Sequence, residues 1–331
     1  MDFDPLSLAR PGRLPRITKR IPTTVSVTIC PSGRSGRGAK PRANGDPAID
    51  ARWEKLFEPV ELGGRRSMRV SPADHFPRLD ELVGAAPWAE QLVHDVERQL
   101  RTQLALGRPW VAIEPVLLVG PPGVGKTWFA RKLGAALGIA TLVAELSTMS
   151  DDRMLSGTAS GYQSAQPGWP LVAIAGTGIA NPLLVLDEID KAGGSNANGR
   201  PHQTLLSMLE PASAKSWYDQ CLLMACDISH VNWMACANIM DTIPAPLLSR
   251  FWIVEVPHPR PADFDAILVS LIRDIAANWE VPPGILPELP SAALQLLRRG
   301  FMDKPSVRDL ARNVRAVLGA LLADGHGLGR Q

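Results

Sequence analysis

The sequence predicts an α/β protein in which a parallel β-sheet carries helices on both faces and a small all-helical domain follows. Three observations predict it. Between residues 76 and 257, short apolar runs alternate with stretches of helical period, the pattern of strand–helix–strand units. One of those runs, Val116-Leu117-Leu118-Val119, opens directly into Gly120-Pro121-Pro122-Gly123-Val124-Gly125-Lys126-Thr127, and residues 128–137 then read as a helix. After Pro257-His258-Pro259 the apolar residues keep the helical period alone.

At 331 residues the chain exceeds the usual single domain. Its 45% apolar and 21% charged residues are ordinary for a globular protein. A net charge of +2 hides an asymmetry. Nine Lys or Arg fall in residues 5–45, and with Asp2 and Asp4 they give residues 1–45 a net of +7, leaving −5 for the remainder. Residues 1–74 are punctuated by Pro and Gly, and only residues 23–30 alternate enough to suggest a strand. The segment holds too little apolar surface to offset its ordering entropy, so most of it is expected to be disordered. It reads either as a basic arm for nucleic acid, through residues 5–45, or as a solvated tail. No aromatic residues are interleaved for base stacking, which favours the tail.

Order is expected to begin near Phe76, with a large α/β domain over residues 75–258. Residues 87–106 place Trp88, Leu92, Val96 and Leu100 at the helical period. Strand 116–119, the glycine loop and its helix come next, then a second strand at 139–146. Residues 171–175 read as helix, 182–186 as a buried strand ending in Asp187-Glu188, 203–209 as a short helix, and 233–237 as a strand ending in Asn238. In parallel sheets ligands bind at the carboxyl ends of the strands, where Gly120, Asp187 and Asn238 all fall. The helical domain, residues 259–323, contains helices at 262–277, at 292–298, and from Ser306, an N-cap with Asp309 three residues on. Residues 324–331 form a flexible tail.

The spacing G-x-x-x-x-G-K-T between a strand and a helix is that of a phosphate-binding loop. Glycines let successive backbone N–H groups wrap an anion, and the helix start adds its partial positive charge. Lys126 then reaches the β- and γ-phosphates, and the Thr127 hydroxyl can ligate Mg²⁺. Leu183-Leu184-Val185-Leu186 delivers two adjacent carboxylates that packing does not need. In a nucleotide site Asp187 would hold Mg²⁺ and Glu188 would polarise the attacking water.

Residues 181–191 (Asn-Pro-Leu-Leu-Val-Leu-Asp-Glu-Ile-Asp-Lys) and 233–250 (Trp-Met-Ala-Cys-Ala-Asn-Ile-Met-Asp-Thr-Ile-Pro-Ala-Pro-Leu-Leu-Ser-Arg) resemble the ATPase module of Lon proteases, within the AAA+ superfamily of P-loop NTPases. The resemblance covers roughly residues 75–322. It implies the AAA+ fold with a helical lid, ATP and Mg²⁺ as cofactors, and ATP hydrolysis. It implies Asn238 as the residue that positions the lytic water, Arg250 as an arginine finger offered to a neighbouring subunit, and Arg308, in Ser306-Val307-Arg308-Asp309-Leu310, as a lid residue touching the γ-phosphate. Each also has an ordinary structural reading: a strand-ending turn, a surface arginine, a helical arginine. Residues 160–169 (Ser-Gly-Tyr-Gln-Ser-Ala-Gln-Pro-Gly-Trp) resemble the family's pore loop, with Tyr162 at the aromatic position that grips a polypeptide. Gln163 and Ser164 depart from the aliphatic residue and glycine expected there, and a surface-loop tyrosine is the alternative.

The Ser–Lys protease domain and the large N-terminal substrate-binding region of Lon proteases have no counterpart in the sequence, so no intrinsic peptidase activity is expected. The expected function is an ATP-driven motor that remodels or unfolds a protein client as a ring homo-oligomer, with a hexamer expected. Two alternatives are a nucleic-acid-associated ATPase using residues 5–45, and a nucleotide-gated scaffold with little turnover. Cys30, Cys221, Cys226 and Cys236 form no C-x-x-C pair and read as reduced, buried thiols suited to the cytoplasm. No stretch approaches the about 18 apolar residues of a membrane span, so no membrane partner is expected.

Overall fold

The computed structural model describes residues 25–30, 53, 56, 58–62, 77–160, 162, 165–193 and 199–325. Its centre is a five-stranded parallel sheet of β3 (Val116–Val119), β4 (Thr141–Glu145), β5 (Leu183–Asp187), β8 (Asn232–Ala237) and β9 (Trp252–Glu255), in the order β4-β5-β8-β3-β9. The register sets Val119 beside both Ala237 and Glu255, and Asp187 beside Glu145. Their carboxyl ends therefore lie along one edge. At the opposite ends, Asn232 accepts Ile113 N–H and donates to the Asn181 carbonyl, both at 2.9 Å, and so aligns the entries to the central strands.

Strand side chains alternate between two cores, because a fully buried parallel strand offers both faces to helices. Val116, Leu118, Leu183, Val185, Met234 and Cys236 pack with α1 (Pro77–Ala85), α2 (Glu90–Ala105) and α3 (Lys126–Leu137). Leu117, Leu184, Leu186, Trp233, Ala235 and Ala237 face the other side. There they meet α5 (Trp169–Thr177), which follows the single turn α4 (Arg153–Ser156), and α6 (Pro201–Leu209). Two further short turns, α7 (Pro211–Ala214) and α8 (Ala245–Leu248), border that second core. The lid is a three-helix body, α9 (Phe264–Asn278), α10 (Ser291–Asp303) and α11 (Val307–Gly325), closed around Phe264, Leu271, Ile275, Phe301, Leu310 and Val314. Ser306 caps α11 as its sequence predicts: its Oγ accepts Asp309 N–H at 3.2 Å.

Of residues 1–74, those described hold a short strand within the 23–30 stretch that the sequence suggests. β1 (Ser26–Thr28) pairs antiparallel with β2 (Pro59–Glu61), and Ile29, Cys30, Leu56, Val60 and Leu62 are buried in the second core. The cause is the alternation of Val25, Val27 and Ile29, which turns one side of a short strand inward. Three anchors hold the pair: Ala180 N–H donates to the Glu61 carbonyl at 2.7 Å, Asp227 N–H to Ile29 at 2.7 Å, and Cys30 N–H to Leu56 at 3.1 Å. The remaining basic residues of positions 5–45 and the end of the tail, residues 326–331, lie outside the described residues. No helix among the described residues is long and apolar enough to cross a membrane.

A hairpin of β6 (Trp217–Asp219) and β7 (Met224–Cys226) precedes β8 and packs beside β1. Its turn carries Leu223 at φ +54°, and Asp219 at its base is fully buried.

Candidate active site

The glycine loop leaves β3 at Val119 and enters α3 at Lys126. Two of its glycines are required by geometry. A Cβ on Gly120 would stand 2.1 Å from the Val256 carbonyl oxygen, and Gly125 has φ +99°, where an L side chain is strained. The loop, with Pro121, Pro122, Gly123 and Val124 between those glycines, ends at the helix start, whose unpaired N–H groups favour an anion.

Lys126 is buried and its Nζ donates to Gly120 O at 2.7 Å, Pro121 O at 2.9 Å and Asn238 Oδ1 at 3.0 Å. Burial pushes its ammonium below the usual lysine range, while the carboxylates of Asp187 and Asp190 oppose that shift. Thr127 Oγ1 donates to Asp187 Oδ2 at 2.7 Å, so the end of β5 and the start of α3 meet through two oxygen donors. A hydroxyl beside a carboxylate suits a hard divalent cation such as Mg²⁺. Asp187 Oδ1 also accepts the Glu188 N–H at 3.0 Å.

Glu188 sits at φ +53°, a left-handed conformation that a non-glycine residue adopts at a cost. Its carboxylate is ion-paired with Lys191, and that hydrogen bond, with a smaller one from Ser147, lowers it below the usual glutamate range. Arg308, on α11, reaches the same place from the lid: its backbone N–H donates to the Gly123 carbonyl at 3.1 Å, and its side-chain charge acts on both Lys126 and Glu188. One edge of the sheet and one lid helix thus bring together Lys126, Thr127, Asp187, Glu188, Asn238 and Arg308.

Two sequence-predicted residues stand apart. Arg250, past α8, is exposed and ion-paired with Glu210 at the end of α6. Tyr162 is 65% exposed in a loop whose backbone turns through Tyr162 N–H to Ala159 O at 3.2 Å and Ala165 N–H to Tyr162 O at 3.1 Å.

Sequence reasoning passed over an apolar pocket between the loop and the lid, walled by Trp88, Val124, Trp128, Pro257, Ile267 and Leu271. It adjoins the phosphate loop through Val124 and is a narrow apolar cleft of about 20 Å³. Lys191, three residues beyond Glu188, and Asp190, buried and acting on Lys126, were also missed. The i, i+3 spacing of Glu188 and Lys191 was a usable signal.

Comparison with known proteins gives the same reading. Residues 116–257 match the model of the ATPase family associated with various cellular activities (AAA). The peroxisomal Lon protease homolog 2 of Arabidopsis thaliana is 30% identical over 271 residues, covering 81% of this chain and 29% of that protein. The corresponding protein of Spinacia oleracea is 32% identical over 270 residues, again 81% and 29%. Lon protease 1 of Syntrophotalea carbinolica is 43% identical over 269 residues, covering 80% of this chain and 31% of its own length. The chain spans about three-tenths of the length of the curated relatives it matches. With the five-stranded parallel sheet, its covering helices and the helical C-terminal part, these matches show a P-loop AAA+ fold with an AAA-family domain over residues 116–257, in a chain that resembles part of the Lon proteases.

Proposed function

We propose that this module binds ATP with Mg²⁺, hydrolyses it to ADP and phosphate, and uses the energy to remodel or unfold a protein client as a ring homo-oligomer, expected to be a hexamer. The observation that carries the reading is the meeting of Lys126, Thr127, Asp187 and Asn238 at the carboxyl ends of three neighbouring strands. The loop N–H groups and Lys126 bind the phosphates. Thr127 and Asp187 would hold Mg²⁺, which supplies charge neutralisation on the phosphates. Glu188 accepts a proton from the attacking water, Asn238 orients that water, and Arg308 contacts the terminal phosphate. Tyr162 grips the client. The described residues are assigned no peptidase role. The nucleic-acid reading depends on the basic residues of positions 5–45, which lie outside the described residues.

In this reading Arg250 acts across the ring, as an arginine finger for the neighbouring subunit. Its partner Glu210 and its exposure place it away from the phosphate-loop contacts of its own chain. An exposed ion pair of this kind contributes about 0–1 kcal/mol, too little to hold the guanidinium back from a neighbouring γ-phosphate. An arginine finger supplied in trans is worth about 10³–10⁵-fold in turnover. Lys126→Ala subunits have a defective pocket and a sound finger, and Arg250→Ala subunits the reverse. Phosphate release should therefore recover on mixing the two inactive proteins. No recovery, in mixtures shown by native mass spectrometry to contain both subunits, would refute the shared site.

A further inference from the structure

Besides its apolar packing against α1 and against Trp88, Val124 and Trp128, the lid meets the phosphate-loop region through polar contacts at two separate points. One is the start of α11, where Arg308 N–H bonds Gly123 and Ser306 Oγ lies 3.1 Å from the place a Cβ on Gly123 would occupy. The other is Asp274, on α9. One of its carboxylate oxygens accepts the Trp128 indole N–H at 2.5 Å, and the other is ion-paired with Lys132. Both partners belong to α3, the helix that begins at Lys126, and their i, i+4 spacing puts them on one face. The Lys132 ammonium also lies 5.8 Å from the Trp128 ring centroid. Asp274 is thus a two-pronged, charge-assisted acceptor with both oxygens engaged across the domain boundary.

We propose that Asp274 is a positioning residue for hydrolysis: it locks the lid onto the phosphate-loop helix and thereby sets Arg308 against the terminal phosphate. Asp274 does not itself contact the nucleotide. The inference rests on the reading of Arg308 given above. Its mechanics follow from the lid core. α9 and α11 share Leu271, Ile275, Leu310 and Val314, so they move as one body. Apolar packing and a single polar anchor leave such a body some freedom to turn, whereas a second directional anchor narrows its angle. Removing Asp274 leaves the backbone bond at Gly123 and the apolar packing, and loosens the angle at which the lid carries the Arg308 guanidinium.

The test is a double-mutant cycle in the full chain, read as steady-state kcat and KM for ATP with thermal unfolding recorded for every variant. Asp274→Asn and Lys132→Gln each remove the ion pair at a partly exposed site, and Asp274→Ala removes both prongs. Coupling between contacting groups of this type predicts a fall in kcat of about 5- to 50-fold for Asp274→Ala, with KM changed less. Asp274→Asn, which can still accept the Trp128 N–H, should lie between it and the parent. In an Arg308→Ala background, Asp274→Ala should cause no further fall. Equal fold losses in both backgrounds would overturn the proposal, since Asp274 would then act by another route. So would parent-level kcat for Asp274→Ala, or for Asp274→Asn and Lys132→Gln should the alanine variant not fold. If Arg308→Ala alone turned over at the parent rate, the role of Arg308 would fall and the proposed route with it. A latch failure with Arg308 still required is a different result, and the cycle separates the two.

Discussion

Asp219 offers a perturbation whose size can be worked from the structure. It is fully buried at the base of the β6–β7 hairpin and accepts three backbone N–H groups: Gly168 at 2.8 Å on one oxygen, Cys221 at 2.9 Å and Leu222 at 2.8 Å on the other. Gly168 closes the loop that carries Tyr162, and Ser160 N–H bonds Gln220 O at 3.3 Å, so the hairpin grips that loop at both ends. Asp219→Ala leaves three buried donors without partners, at about 1–3 kcal/mol each, or about 3–9 kcal/mol together. The carboxylate's own desolvation, the main cause of its raised pKa, places the expectation in the lower half of that range. Asp219→Asn keeps the acceptor for Cys221 and Leu222 but sets an amide N–H against Gly168 N–H, a loss of about 1–3 kcal/mol. Guanidinium unfolding measures both variants, and hydrogen exchange at Gly168 and Leu222 shows whether the loss is local. An alanine variant within about 0.5 kcal/mol of the parent would refute the three-bond account.

The same residue has a pH signature with an unusual sign. Its folded pKa lies above the unfolded value, so the native state holds the proton to higher pH than the unfolded chain does. The stability linked to this group is fully present below the unfolded pKa and is lost as pH rises through the raised folded value. Asp219→Asn should remove that slope from an acid-range stability profile, and an unchanged slope would assign it to other groups.

Three further outcomes are expected. Glu188→Gln should bind ATP within a few-fold of the parent by isothermal titration and hydrolyse it about 10²–10⁴-fold more slowly, the span of general-base catalysis, and parent-rate turnover would remove Glu188 from the chemistry. Gly120→Ala should lower stability by about 1–3 kcal/mol and weaken ATP binding, because the Val256 carbonyl 2.1 Å from the new Cβ is backbone and cannot swing aside. All four cysteines are buried, and burial together with contact with Cys30 raises Cys226, while burial raises Cys236. A thiol reagent near pH 8 should therefore titrate none of them in the native protein and all four in guanidinium.

The parts of this fold that local chemistry determines were readable in the sequence. β3 begins and ends where its apolar run does, because three buried residues and the half-buried Val119 stop at a glycine that must lie against Val256. The helices of the lid were readable because each carries a continuous apolar face. β9 was missed: its four residues alternate between half-buried and exposed at the edge of the sheet, so its composition resembles a loop. β1 lies in the alternating stretch 23–30, but its partner β2 and the hairpin β6–β7 were missed for a related reason. Strands of three residues are too short for a period, and β1 finds its partner about 30 residues away in a stretch rich in Pro and charge.

The candidate site divides along the same line. Lys126, Thr127, Asp187 and Asn238 were identifiable because parallel strands deliver their ends to one edge, so contiguous motifs become neighbours once the sheet forms. What surrounds them depends on contacts between distant segments. Asp274 lies 142 residues from Lys132 and 146 from Trp128, and no spacing rule connects them. The lid helix α9 advertises its apolar face in sequence and conceals the acid that fastens it. A motif can therefore name the groups that meet the phosphate, whereas the angle at which the lid presents Arg308 to them is set by side chains no motif contains. Two chains with identical glycine loops and carboxylate pairs could turn over ATP at different rates through the single exchange of Asp274 for a neutral residue.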